Sequence, residues 1–366
     1  MILPESRSLE WIKKSALDNH ASNPTLVEKV IRAFSLLEAL ARSGCPFIFK
    51  GGSSLMLHFG CSRRLSIDVD IICPPGTDIE KYLDMYAEDY GFTLVEAVDR
   101  IYRSDVPKTH AKCHYQVSYK TSSEVDTILL DVLTEDNNYH AVDSLPIKSP
   151  FLLTEGPDVI VKVPCKADLL GDKLTAFAPH TTGIPFYKGT RNCSMEIMKQ
   201  MFDIASLLDV TDDLTWTAET YRKLGSIEMD YRRMEDMDIR SVAEDTISTA
   251  LCICTNGFVH KEDFLFYSDG ITRVRNFIHS ERYNMVSAVR DAAKAAYAAA
   301  CALKNVVSPQ RYSPAALASL ASVKIPSSFA THLNQLKIQN PEAFFYWFHT
   351  SKLIPCIKEK RTAHRR

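Results

Sequence analysis

No stretch of the chain approaches the ~20 consecutive apolar residues that crossing a bilayer requires. The first residues, Met1-Ile2-Leu3-Pro4-Glu5, lack the basic-then-apolar pattern of a secretory signal. The 10 cysteines, at 45, 61, 73, 113, 165, 193, 252, 254, 301 and 356, contain no Cys-x-x-Cys pair, and Cys252-x-Cys254 is too tight and lacks partners for a zinc site. Reduced thiols, and with them a cytoplasmic protein with no membrane attachment, are expected. Net charge is −2, so no global basic field announces nucleic acid. Repeats and low-complexity tracts are absent. What remains is an ordinary globular composition, 366 residues that are 46% hydrophobic and 24% charged, long enough for two domains.

One stretch, residues 46–73, departs from the ordinary. Phe47 to Phe49 is an apolar strand that stops at Gly51-Gly52. Ser53 is placed to cap a short helix carrying Leu55, Met56 and Phe59, which Gly60 ends. The next strand alternates, with Ser66, Asp68 and Asp70 on one face and Ile67, Val69 and Ile71 on the other. Carboxylates two residues apart on a strand lie side by side, at most about 7 Å between Cα atoms. A half-buried strand has no need of such a pair. Mg²⁺ does, because it takes hard oxygen ligands and works with one or two carboxylates plus substrate phosphates. The glycines allow a backbone to approach a phosphate, and the amides of a helix start favour anions. The pattern is a phosphate cradle facing a metal site.

Lys50-Gly51-Gly52-Ser53 followed by Arg64-x-Ser66-x-Asp68-x-Asp70 resembles the nucleotidyltransferase superfamily that includes DNA polymerase beta, and within it the AbiEii/AbiGii toxin family. The resemblance covers roughly residues 26–210. It implies an α/β (α+β) fold with a mixed sheet and flanking helices, transfer of a nucleoside monophosphate from an NTP, two Mg²⁺ ions, a cognate antitoxin, and a tRNA 3′ end as acceptor. Lys50, Gly51, Gly52, Ser53, Arg64 and Ser66 would then bind substrate, with Asp68 and Asp70 as metal ligands. A third carboxylate is expected on a neighbouring strand. Asp131 fits, standing in the apolar run Asp126-Thr-Ile-Leu-Leu-Asp131-Val-Leu133, where an isolated charge would be costly unless paired or bound to metal; an ion pair with a neighbour is the other reading. Gly171-Asp172-Lys173-Leu174-Thr175-Ala176 resembles the family's second motif, whose lysine reaches the nucleotide phosphates. In Lys199-Gln200-Met201-Phe202-Asp203 the family's second aspartate is kept as Asp203, while Gln200 replaces the first acid and cannot ionise. Asp203 is a catalytic candidate, or the i,i+4 partner of Lys199.

Elsewhere the pattern predicts helices at 8–20, 24–43 and 79–90, a strand at 92–95, a strand at 113–121, a turn-rich segment at 140–164 with one short strand at 159–163, and a helix at 195–208. The basic, glycine-punctuated loop 179–191 is expected to close over substrate. Domains are expected at 1–212 (nucleotidyltransferase) and 213–366 (helical). The second holds predicted helices at 217–234, 240–255, 269–279, 283–303, 314–322 and 327–348, and a basic tail at 358–366. It carries no recognisable motif. The acceptor therefore stays open between RNA, with Arg63, Arg64, Lys188 and Arg191 as backbone contacts, and a protein or small molecule; a catalytically inert nucleotide- or RNA-binding relative is the remaining alternative.

Overall fold

The computed structural model describes residues 1–21, 23–60, 63–98, 108–119, 123–326 and 331–355. The basic tail at 358–366, Cys61 and Cys356, and the start of the helix expected at 327 lie outside them. The chain forms two compact units, Met1–Leu169 with Val274–Arg282, and Leu170–Arg273 with the segment from Tyr283 onward.

In the first unit, Ser8 caps α1 (Leu9–Asp18) by accepting from the Trp11 amide, and Asn23 caps α2 (Pro24–Arg42), with Pro24 at the first helical position where its missing N–H costs nothing. The apolar spacing along α2 becomes a buried stripe of Val27, Val30, Ile31, Phe34, Leu37 and Leu40 against β2 (Val69–Cys73) and β5 (Val125–Thr134). Buried acids on this helix are put to use: Glu28 accepts from the Ser118 and Tyr119 amides at 2.8 and 2.9 Å, and Glu38 accepts from the Ile2 amide and the Tyr90 hydroxyl. Before β2 come β1 (Ile48–Lys50) and α3 (Gly51–Phe59), closed by Gly60 in a positive-φ conformation as expected. After it come α4 (Ile79–Asp84), β3 (Phe92–Val98) and β4 (Lys108–Gln116). The five strands order as β1-β2-β5-β4-β3 in a mixed sheet, with β2 and β5 parallel and every other pair antiparallel. A separate antiparallel pair follows, β6 (Val142–Pro146) on β7 (Ile160–Pro164). Only the second of these was expected; Val142-Asp-Ser-Leu-Pro146 has too few β-branched residues to read as a strand without its partner. The helix expected at 79–90 ends at Asp84 and continues as turns.

The second unit is helical. It contains α5 (Lys166–Ala176) from Leu170 on, the hairpin β8 (Tyr187–Lys188) and β9 (Arg191–Asn192), α6 (Ser194–Leu208), α7 (Thr215–Tyr231), α8 (Ile239–Cys254), α9 (Lys261–Val274), α10 (Met285–Lys304), α11 (Pro314–Ala318), α12 (Leu336–Gln339) and α13 (Pro341–Leu353). The alanine-rich α10 is the axis, buried from Ala288 to Ala302 except at Arg290, and packed on α6, α8 and α13. Its ends are set by local chemistry, Asn284 accepting from the Val286 and Ser287 amides and Asn305 adopting the left-handed conformation. A β-carbon on Gly171 would lie 2.7 Å from the Thr217 carbonyl, so glycine is what lets α5 approach α7. Helix α9 starts at Lys261 rather than 269, because Phe264, Tyr267, Ile271 and Val274 already follow helical spacing. None of the described helices is long and apolar enough to cross a membrane, and no disulfide joins the described cysteines.

Candidate active site

The sheet register assembles the site. Lys50 on β1 pairs with Asp70 on β2, Asp70 with Asp131 on β5, and Asp131 with His110 on β4. Residues opposite one another across a ladder point to the same face, so these four side chains form one polar row. The alternation that puts them there sends Val69, Ile71, Leu130 and Val132 to the buried face. Asp68 lies one residue ahead of β2 and is exposed.

Beside the row sits the glycine turn. Gly51 has φ +76°, and a β-carbon there would lie 2.1 Å from Asp70 Oδ2. On Gly52 it would lie 2.4 Å from an Arg64 guanidinium nitrogen and 2.8 Å from Ser66 Oγ. The spaced residues of the motif are therefore one packed knot. Ser53 takes a different place from the one expected. Helix α3 starts at Gly51 after Lys50, which gives no side-chain cap, and the buried Ser53 donates its hydroxyl to the Asp68 carbonyl at 2.5 Å. Arg64 is only 6% exposed; it donates to the Leu65 carbonyl at 3.0 Å, and its segment is pinned by a bridge to Ile278 and by Leu65 N–H on the Phe277 carbonyl. That burial makes it a support of the glycine turn and withdraws it from the set of exposed backbone contacts. Arg63 stacks on the Phe59 ring at 4.8 Å.

Asp131 is ion-paired. Lys108 Nζ stands 2.8 Å from Oδ2, and His110 Nδ1 meets Oδ1. Burial pushes the carboxyl up, but the Lys108 ammonium and then His110 outweigh it and hold Asp131 below the usual carboxylate range. Sequence reasoning missed both partners because it began β4 at Cys113. The signal was there: Lys108 and His110 are two residues apart, as Asp68 and Asp70 are, and so share a face. A third missed residue is Asp168, fully buried, which accepts from the His140 and Ala141 amides at 3.0 and 2.9 Å and from His140 Nδ1 at 3.0 Å. It fixes the turn whose Tyr139 ring lies 5.5 Å from Lys50 Nζ.

In the second unit, Lys173 on α5 lies 3.0 Å from Asp203 Oδ2 and donates to Gln200 Oε1 at 3.0 Å. Lysine and aspartate are both buried. The residue that replaced the family's acid thus still accepts a hydrogen bond, from the same ammonium that pairs with Asp203. In the loop 179–191, Lys188 and Arg191 sit on the β8–β9 hairpin, with Arg191 paired to Glu196. The loop is anchored at His180, whose amide donates to Asp245 and whose Nε2 meets Asp263.

Among the described residues no three His, Cys, Asp or Glu side chains converge as a ready metal-binding group. Hard-oxygen donors of the kind that suit Mg²⁺ are nonetheless present at Asp68 and Asp70, and the missing β-carbon of Gly51 is what lets the Asp70 carboxylate pack against the turn. This pair fits a divalent ion completed by substrate phosphates; Asp131, next in the row, carries Lys108 and His110 instead.

No curated protein matches the chain. The family described as nucleotidyl transferase AbiEii toxin, type IV TA system, matches residues 35–249, a span that takes in every site residue above from Lys50 to Asp203. With more than half its length matched, the chain belongs to the AbiEii family of nucleotidyl transferase toxins, the toxin component of a toxin–antitoxin pair that uses a nucleoside triphosphate as substrate.

Proposed function

We propose that the chain transfers a nucleoside monophosphate from an NTP to the 3′-terminal hydroxyl of a tRNA. The acceptor hydroxyl loses its proton to solvent, its oxygen bonds to the α-phosphorus, the bond from that phosphorus to the bridging oxygen breaks, and pyrophosphate leaves with the electron pair. The observation that carries this reading is the juxtaposition of Asp70 and Asp131 in adjacent strands with the glycine turn against Asp70. The amides of Gly52 and Ser53, at a helix start with no side-chain cap, suit the β- and γ-phosphates. Asp68 and Asp70 would hold Mg²⁺, with Asp131 joining on the acceptor side; bound metal would stabilise the attacking and leaving oxygens. The catalytically inert alternative is disfavoured by the intact carboxylates.

The tRNA acceptor rests on the toxin family and on exposed cations, Arg191 above all and Lys188 beside it. Contacts of this kind position a nucleic acid without reading its sequence. The net charge of −2 favours instead a protein or small molecule. The test is incubation with each labelled NTP, Mg²⁺, and either total tRNA or total protein, at two salt concentrations. Label on tRNA, with binding that weakens steeply as salt rises because neutralised phosphates release counterions, supports the proposal. Label on protein alone, or salt-independent tRNA binding, overturns the tRNA assignment.

A further inference from the structure

The two oxygens of Asp131 are held in unlike ways. His110, on Oδ1, is locked: its side chain is 2% exposed and its backbone is paired directly opposite Asp131 in the ladder. Lys108, on Oδ2, is 31% exposed and stands at the first residue of β4, where a hydrated ammonium on a four-carbon stem can swing into water.

We infer that Lys108 is a displaceable counter-ion: it occupies Oδ2 and keeps the Asp131 carboxylate aimed while no divalent cation is bound, and yields Oδ2 when one arrives, His110 keeping Oδ1 in register. This rests on the metal reading given above and adds to it a positioning residue that competes with the metal. Lys108 and a divalent ion then report on the same oxygen, so removing the ammonium strengthens metal binding, the reverse of what losing a ligand or loosening the sheet does.

The probe is Mn²⁺ alone, titrated against the nucleotide-free full-length chain, with free Mn²⁺ read by electron paramagnetic resonance. Lys108→Met keeps the stem and drops the charge; Mn²⁺ affinity should rise about twofold to fivefold, the range expected for removing a partly exposed competing ion pair. Lys108→Arg should stay near wild type. Adding Asp131→Asn to Lys108→Met should abolish the gain. Near-UV circular dichroism checks the fold, and Lys108→Gln is the second charge-free variant should the methionine perturb it. Affinity unchanged or weakened in both charge-free variants overturns the inference, as does binding by neither wild type nor variant. Asp70→Ala separates the two levels: if it binds Mn²⁺ as wild type does, the metal reading fails, whereas loss of binding there with no gain at Lys108 leaves that reading standing and sinks only the counter-ion.

Discussion

Lys173 and Asp203 form an ion pair 3.0 Å apart in the helical unit, with 5% and 2% of their surfaces exposed. A pair this buried is weak evidence for net stability, but breaking it from one side is costly because the remaining charge has no water to return to. The lysine expected to reach phosphates is thus also a structural counter-ion, and a simple alanine scan would confound the two roles.

Lys173→Ala is expected to lower unfolding stability by about 3–5 kcal/mol, measured by urea denaturation. The double variant Lys173→Met/Asp203→Leu should recover most of that loss, since apolar residues of similar volume replace both charges. Nucleotidyl transfer by the refolded double variant decides the chemistry: activity near wild type makes the pair structural, and loss of transfer in a stable protein assigns it to the reaction.

Gly51→Ala is expected to cost about 1–2 kcal/mol for the left-handed backbone alone, with more from the clash against Asp70. Transfer activity should fall further than stability, because the displaced group is the carboxylate itself. Denaturation midpoints and initial rates measured on the same preparation check this; an alanine variant matching wild type in both would mean that the turn relaxes without moving Asp70.

Asp68→Ala and Asp70→Ala should each slow transfer on the order of 10³-fold or more, as expected when a metal ligand is removed, while the unfolding midpoint changes little for the exposed Asp68. Purified Asp70→Ala retaining transfer within about tenfold of wild type would rule out the metal reading.

Asp245 on α8 is buried beneath the His180 loop, accepts from the His180 amide and the Thr181 hydroxyl through Oδ2, and has no partner on Oδ1 among the described residues. Burial raises its carboxyl from 3.8 to about 6. The folded state then binds a proton more tightly than the unfolded chain, so this contribution is full below the unfolded value and is lost as pH rises toward 6. Asp245→Asn should remove a decline on the order of 2–3 kcal/mol across that window. Urea midpoints at half-unit pH steps for both proteins provide the comparison; parallel curves would mean that Asp245 is ionised throughout.

The glycine turn, the paired spacing of Asp68 and Asp70 and the acid within β5 were legible in the sequence because each is a local signal, although the strand expected from Ser66 begins only at Val69. A positive-φ glycine, a two-residue alternation and a charge in an apolar run need no knowledge of what lies across the sheet. The helical half was likewise legible as helices, through spacing and caps. Which groups meet was decided only by tertiary structure. The antiparallel register of β4 on β5 delivers Lys108 and His110 to Asp131, and the crossing of α5 with α6 turns Lys173, Gln200 and Asp203 into one cluster. Arg64 looked like a surface cation until the segment at 277–278 closed over it, and Val142 to Pro146 became a strand only because β7 lies alongside. Local propensity reads a few neighbouring residues, while register and burial depend on partners tens to hundreds of positions away; in this protein those partners set the charge and the accessibility of the residues that the motif names.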